Sequence, residues 1–307
     1  MGQAVRPCAE GRARRAPPLV SVVIPCFDQA HFLAEAIESV FAQTFGDLEL
    51  LVVDDGSLDN SYEVACRYPD VRPLRQANRG VAAARNLGLA ESRGTFSVFL
   101  DADDRLLPQA LGLGMEALVK RPQIAFAAGM SKDIREDGRP IDGAHRQPLV
   151  SQDHYLRLLE DCYIWSGSSV VYRRAAVEAV GGFNESLAAA DDYELYLKLA
   201  RRYPVYCHDA VVTEYRRHGS NTTRNAAVVL TSQLEVLGGQ RSQLRGRRER
   251  AARRRGIRKT RAEHGRALAE QVAASWRRRR RRRAMRELLT LVRHDPGALL
   301  GFAGRAA

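Results

Sequence analysis

The chain has 307 residues, 45% of them hydrophobic, with 48 Lys and Arg against 36 Asp and Glu; that length permits one large α/β domain plus an appendage. The five cysteines, Cys8, Cys26, Cys66, Cys162 and Cys207, are odd in number and contain no C-x-x-C pair, which argues against a disulfide framework or zinc site and for reduced thiols. No apolar run approaches the roughly 18 residues that span a bilayer, and residues 1–18 lack the apolar stretch of a secretory signal, so a cytoplasmic protein is expected.

The charge is unevenly placed. From residue 227 onward there are 22 Lys and Arg against 6 Asp and Glu, while the preceding residues are mildly acidic. Three regions are expected on this basis: a leader over residues 1–18, a body over 19–225 and an Arg-rich helical tail over 226–307. The body divides at residue 105 into 19–105 and 106–225.

In chain order, Leu19–Ile24 is a β-branched run suited to a buried strand, ended by Pro25. Apolar residues at helical spacing predict a helix over His31–Gln43, and Leu48–Val53 a second strand. A helix after Asp59, a strand at Val71–Leu74, a helix at Val81–Glu91 and a strand at Phe96–Leu100 repeat the pattern. Such alternation implies a Rossmann-like, mostly parallel sheet with helices on both faces, and ligands that bind beyond the carboxyl ends of its strands. Further on come a helix near Pro108–Lys120, a strand near Ile124–Ala128 and a polar excursion from Ser131 to Pro148. A helix at Gln152–Cys162, a strand at Ser169–Tyr172, a turn at Gly181-Gly182-Phe183, a helix at Asp192–Arg202 and a strand at Val205–Tyr215 follow. From Ala226 the chain reads as helical, dominated by arginine through Arg283.

Carboxylates stand at two strand ends, in Asp54-Asp55-Gly56-Ser57 and Asp101-Ala102-Asp103-Asp104. Neither G-x-G-x-x-G nor G-x-x-x-x-G-K-[ST] occurs at those places, so a diphosphate needs another means of neutralisation. Carboxylates repel phosphates, but a hard divalent cation bridges the two through oxygen ligands. Asp101 and Asp103 suit that arrangement, since one carboxylate can reach a ribose and the other the ion. The alternative is a cluster that merely caps the next helix.

Five ordered blocks carry a resemblance: Val22-Val23-Ile24-Pro25-Cys26-Phe27; Gln43-Thr44-Phe45; Val52-Val53-Asp54-Asp55-Gly56-Ser57; Asn78-Arg79-Gly80 with Ala84-Arg85-Asn86-Leu87-Gly88; and Asp101-Ala102-Asp103-Asp104. Together they resemble the amino-terminal half of family 2 glycosyltransferases of GT-A type fold, and the likeness extends to about residue 225. It implies an inverting enzyme that moves a sugar from a nucleotide-diphosphate-sugar, UDP-sugar favoured, to a saccharide or lipid-linked acceptor, with Mn2+ or Mg2+ as cofactor. Surface polysaccharide or glycolipid synthesis is the implied setting.

The resemblance places Pro25 and Asp55 against the base, Asp101 near the ribose and Asp103 on the metal. Phe27, Gly56, Ser57, Arg79, Gly80, Arg85 and Ala102 line the same site. Asp28 stands where the family more often has asparagine or glutamate. For Arg85 the alternative is a surface salt bridge, and Asp54 reads equally as a turn residue. On the acceptor side stand Gly182, Trp165 and Asp191-Asp192, where the family usually has Glu-Asp. Asp192 aligns with the base that deprotonates the acceptor hydroxyl, although an acidic helix start accounts for one of the pair. His218, in Tyr215–Asn221, aligns with a residue near the metal or diphosphate.

Seven consecutive arginines, Arg277–Arg283, must meet solvent, anionic lipid or nucleic acid. The tail alone does not choose among them. An anionic membrane surface, with the enzyme peripheral at the inner face of the plasma membrane, is the expected partner, and nucleic acid is the disfavoured one. The rival reading is a nucleic-acid- or membrane-binding protein on a catalytically inactive nucleotide-sugar fold.

Overall fold

The computed structural model describes residues 18–141 and 148–295. Apart from Pro18, the leader expected over residues 1–18 lies outside the described residues. The elements begin β1 (Val20–Cys26), α1 (Ala30–Phe41), β2 (Leu48–Asp54), α2 (Ser61–Cys66), β3 (Val71–Arg75), α3 (Val81–Glu91), β4 (Phe96–Phe99) and β5 (Arg105–Leu106). They continue with α4 (Ala110–Lys120), β6 (Phe126–Arg135), α5 (His154–Glu160), β7 (Val170–Arg173), α6 (Arg174–Ala179), α7 (Asp191–Arg202) and β8 (Tyr206–Arg217). Three helices close the described chain: α8 (Ala226–Gly239), α9 (Gly246–Arg277) and α10 (Arg281–His294).

The strands form one sheet in the order β3-β2-β1-β4-β7-β6-β8-β5. It is parallel through β3, β2, β1 and β4, as the βαβ rhythm requires. Beyond β4 the pairs β4–β7, β6–β7 and β5–β8 are antiparallel, so the sheet is mixed. The α/β architecture expected from the sequence is present.

Two boundaries differ from the sequence reading for identifiable reasons. β1 runs through Pro25 to Cys26 instead of ending there. The carbonyl of Val23 accepts from Leu100 N on the β4 side, and residue 25 has the same parity, so the missing N–H of Pro25 also faces that side. The β1–β4 ladder has already ended at Val23–Phe99, so no ladder bond is lost. Second, the polar excursion from Ser131 begins as strand, because β6 continues to Arg135. Lys132 there pairs with Glu214 at 2.9 Å, and Ile134 bridges Pro140; residues 142–147 lie outside the described residues.

The chain forms two compact units. The first comprises the described parts of Met1–Leu149, with Ile164–Glu185 and Tyr203–Arg216. Its core sets Val20, Val22 and Ile24 of β1 against Leu33, Ile37 and Val40 of α1 and Leu111, Met115 and Leu118 of α4. Alternation sends Val23 to the opposite face, where α3 approaches so closely that a Cβ on Gly88 would collide with it. The second unit comprises Val150–Tyr163, Ser186–Arg202 and the described part of Arg217–Ala307. Its helices pack through Ala226 and Leu230 of α8, Leu268 and Ala269 of α9 and Leu291 of α10. A Cβ on Gly256 of α9 would strike the carbonyl oxygen of Leu159, so α5 and α9 meet backbone to backbone. Among the described residues no helix is long and apolar enough to cross a membrane, and no disulfide joins Cys26, Cys66, Cys162 and Cys207.

Candidate functional site

In the first unit the carboxyl ends of β1, β2 and β4 are built from backbone loops that carboxylates hold in place. Asp55, 3% exposed, follows β2 and accepts from Gln76 Nε2 (2.7 Å) and Arg79 N (2.9 Å) on Oδ1, and from Gly80 N (2.8 Å) on Oδ2. One side chain thereby draws the 76–80 loop against the end of β2. Gly56 has φ +76, and a Cβ there would lie 2.8 Å from Asn78 N, so the close approach of this loop excludes a larger residue.

Asp54 accepts from Ser57 N at 3.1 Å and pairs with Arg75 at 2.9 Å, which fits the turn role left open by the sequence. Asp28, itself at φ +52, uses Oδ1 on the N–H groups of Leu58 (2.7 Å) and Asp59 (3.3 Å), and its own N–H donates to Ser57 Oγ. The side chains of Asp28 and Ser57 therefore brace the two loops against each other. Phe27 beside them is 43% exposed, and Pro25 is buried within β1.

The D-x-D segment is held at both ends. Arg85 of α3 is buried and donates from Nη2 to Asp101 Oδ1 at 2.6 Å, with its guanidinium 5.4 Å from the Phe183 ring centre. It is an ion pair, but not the surface one considered from the sequence. The N–H of Asp101 donates to Ser168 Oγ (3.1 Å), and that hydroxyl donates to Asp104 Oδ2 (2.8 Å). Asp104, 1% exposed, also accepts from Ser166 Oγ (3.2 Å) and from Arg216 N (3.0 Å).

Arg216, with no exposed surface, donates from Nε to the Asp103 carbonyl (2.8 Å), from Nη1 to the Glu136 carbonyl (2.8 Å) and from Nη2 to Glu35 Oε2 (2.6 Å). Its guanidinium also lies 4.7 Å from the Phe32 ring centre. Burial, reinforced by the charges of Asp103 and then Asp101, pushes the Asp104 carboxyl well above the usual range. Part of that shift is repulsion from the neighbouring carboxylates of Asp103 and Asp101, which a cation at the loop would relieve. Asp103 is half-buried there and Ala102 buried.

The glycine turn is tied to α3 by Asn86, whose Nδ2 donates to the Phe183 carbonyl (2.9 Å) and whose Oδ1 accepts from Phe183 N (2.9 Å). Gly182 has φ +66, and a Cβ on it would lie 2.7 Å from Asn86 Oδ1. Arg79 pairs with Glu185 at 2.8 Å, and Trp165 is 37% exposed.

In the second unit, Asp191 and Asp192 open α7, directly after Ala190 at φ +60. Asp191 is buried and Asp192 half-buried. His218 is buried in a turn closed by its N–H on Asn221 Oδ1 (2.6 Å), with Nδ1 2.8 Å from Ser220 Oγ. Among the described residues no three His, Cys, Asp or Glu side chains are grouped to hold a metal ion by themselves.

Arg216, Ser166, Ser168 and Asn86 were assigned no role from the sequence. Asn86 at least stands inside the matched Arg85-Asn86-Leu87 block. Arg216 stands inside the matched Tyr215–Asn221 block, but it lies more than a hundred residues from the loop it holds, so the contact has no local signal.

Comparison with known proteins yields a match to the family described as glycosyl transferase family 2 over residues 21–181. Chondroitin synthase of Escherichia coli is 30% identical over 210 residues, which cover 67% of this chain and 30% of that protein. Hyaluronan synthase of Pasteurella multocida is 28% identical over 223 residues, covering 67% and 21%. The chain thus spans less than a third of the length of these two relatives.

Among solved structures, Staphylococcus aureus TarS 1-349 in complex with UDP-GlcNAc aligns at TM-score 0.59 and 18% identity, over 82% of this chain and 70% of that one. The mannosyltransferase PcManGT from Pyrobaculum calidifontis, in complex with GDP-Man and Mn2+, aligns at TM-score 0.62 and 19% identity, over 95% and 85%. These likenesses establish the GT-A fold.

Proposed function

The chain belongs to glycosyl transferase family 2, and from that premise we propose that it moves a sugar from a nucleotide-diphosphate-sugar to an acceptor hydroxyl, with inversion and with help from a divalent cation. The observation that carries the proposal is the Asp101–Asp104 loop, pinned by Arg85 at Asp101 and by Arg216 at Asp103 and Asp104. A segment clamped at both ends keeps its carboxylates fixed while a charged ligand comes and goes.

Asp101, oriented by Arg85, takes the ribose. The 76–80 loop that Asp55 holds against the end of β2 takes the base, with exposed Phe27 after β1. Asp103 supplies the carboxylate for Mn2+ or Mg2+, and the repulsion among Asp103, Asp101 and Asp104 supports a cation there. When bound, that ion offsets the charge of the departing diphosphate. The relatives that bind UDP-GlcNAc, or GDP-Man with Mn2+, support a nucleotide-sugar donor and a cation.

Asp192 is assigned as the base that takes the acceptor proton. It is the more accessible of the acidic pair at the start of α7, which supports Asp192 over Asp191. The role of His218 toward the cation or diphosphate, and of Trp165 and Gly182 toward the acceptor, rests on the family resemblance. Screening nucleotide-sugars by thermal shift, then assaying transfer and donor hydrolysis with the best binder, tests the proposal. Asp192→Asn should keep the donor-induced shift and lose turnover by about 100-fold or more. Full turnover in that variant would remove the base assignment, and a chain that binds no nucleotide-sugar would remove the whole reading.

A further inference from the structure

The arginine run has a structural context that its sequence alone does not reveal. α9 ends at Arg277 and α10 begins at Arg281, with Arg279 at φ +57 between them. α10 packs on the helices of its own unit through Ala284, Glu287 and Leu291, spaced as one helical face. A different face carries Met285, Leu289 and Val292, at i, i+4 and i+7, and these are 48%, 62% and 46% exposed. At the end of α9, Trp276 is 57% exposed.

Arginine is dense around this stripe. Residues 277–293 hold nine arginines and one acidic residue, Glu287, which is buried and paired with Arg283 at 2.7 Å. Arg282, Arg286 and Arg293 are exposed and follow the apolar stripe on the helical wheel.

We propose that α10, with Trp276, is a docking surface for an anionic lipid bilayer, in which Met285, Leu289 and Val292 enter the headgroup boundary and the flanking arginines meet lipid phosphates. An amphipathic helix with an aliphatic stripe, a cationic flank and an adjacent tryptophan is the chemistry that lies in such an interface. The aliphatic stripe distinguishes this surface from one built for RNA, which uses cations together with stacking aromatics; the exposed stripe of α10 is Met285, Leu289 and Val292. The charge argues against a second copy of the chain, because self-association through this face would bring two sets of nine arginines together.

The test uses the full chain and sedimentation with vesicles of phosphatidylcholine, either alone or with about 30% phosphatidylglycerol. Binding is expected only to the anionic vesicles, to weaken about tenfold or more when salt rises from about 0.1 M to about 0.5 M, and to blue-shift tryptophan fluorescence. The combined Met285→Ser, Leu289→Ser and Val292→Ser variant should lose about tenfold or more in partitioning while keeping its arginines. Leu289→Trp, which leaves the buried face of α10 untouched, should instead bind at least as well and give a larger blue shift.

Three results would overturn the proposal. One is equal binding by the serine variant. Another is anionic-vesicle binding that a single-stranded RNA abolishes while that RNA binds the serine variant unchanged. The third is a lipid-free dimer that the serine variant disrupts.

Discussion

The guanidinium Nε of Arg216 lies 2.8 Å from the carbonyl oxygen of Asp103, while the backbone N–H of the same arginine donates 3.0 Å to the Asp104 carboxylate. One residue of β8 therefore fixes two successive residues of the loop after β4. The arginine itself is fully buried and balanced by Glu35 at 2.6 Å.

Replacing Arg216 should cost both stability and positioning. Arg216→Met leaves the Asp103 and Glu136 carbonyls without their donor, while Glu35, which is part-exposed, keeps Arg105 at 3.1 Å; the cost should be about 1–3 kcal/mol in urea unfolding. Arg216→Lys keeps the charge but not the planar fork that reaches three acceptors at once. It should remain folded and lose about 10-fold to 100-fold in turnover with little change in donor KM.

Arg85 acts at the other end of the loop, on Asp101. Arg85→Met should raise donor KM about 10-fold or more, because Asp101 loses the partner that orients it toward the ribose. The contrast between a turnover effect at Arg216 and a donor-binding effect at Arg85 is read directly from initial-rate kinetics.

The glycine turn offers a comparison of neighbours. A methyl group added at Gly181 (φ +84) would meet nothing within 4 Å, whereas one at Gly182 (φ +66) would meet Asn86 Oδ1 at 2.7 Å. Gly181→Ala should cost about 1 kcal/mol from backbone strain alone. Gly182→Ala adds the clash and should cost about 1–3 kcal/mol, seen as the larger fall in Tm.

Buried histidines contribute a pH-dependent part of the stability. Burial holds His154, His208 and His264 below the ordinary value of 6.5, so the fold prefers them neutral. The unfolded chain then binds more protons than the folded one just below that value. The histidines' contribution is fully present above pH 6.5 and falls as pH drops toward the folded-state values, while the raised Asp104 carboxyl acts in the opposite sense. His154→Gln should flatten part of that fall in urea unfolding measured at successive pH values.

The parallel half of the sheet and the carboxylates at its strand ends were legible in the sequence, because β-branched runs and helical spacing are local signals. α3 spans Val81–Glu91 as read from its apolar spacing. The antiparallel half was less legible. β5 is two residues long and exists through its pairing with Thr213 and Glu214, while the outer part of β6 is polar and held by the Lys132–Glu214 pair.

At the candidate site, the motif identified Arg85 and Asp101, but their contact needed the fold. The Ser166, Ser168 and Arg216 network around Asp104 is made by residues over sixty positions away, and nothing near Asp104 in sequence announces it.

The most direct measurement is the thermal shift produced by the best-binding nucleotide-sugar with and without Mn2+, for the native chain and for Asp103→Asn. The native chain should show a clearly larger shift with Mn2+, since donor at about 100 times Kd adds about 2.7 kcal/mol of stability, and Asp103→Asn should lose the part that depends on the ion. A native donor shift indifferent to Mn2+ and Mg2+, or an Asp103→Asn variant that keeps the full ion-dependent shift, would contradict the assignment of Asp103 to the cation.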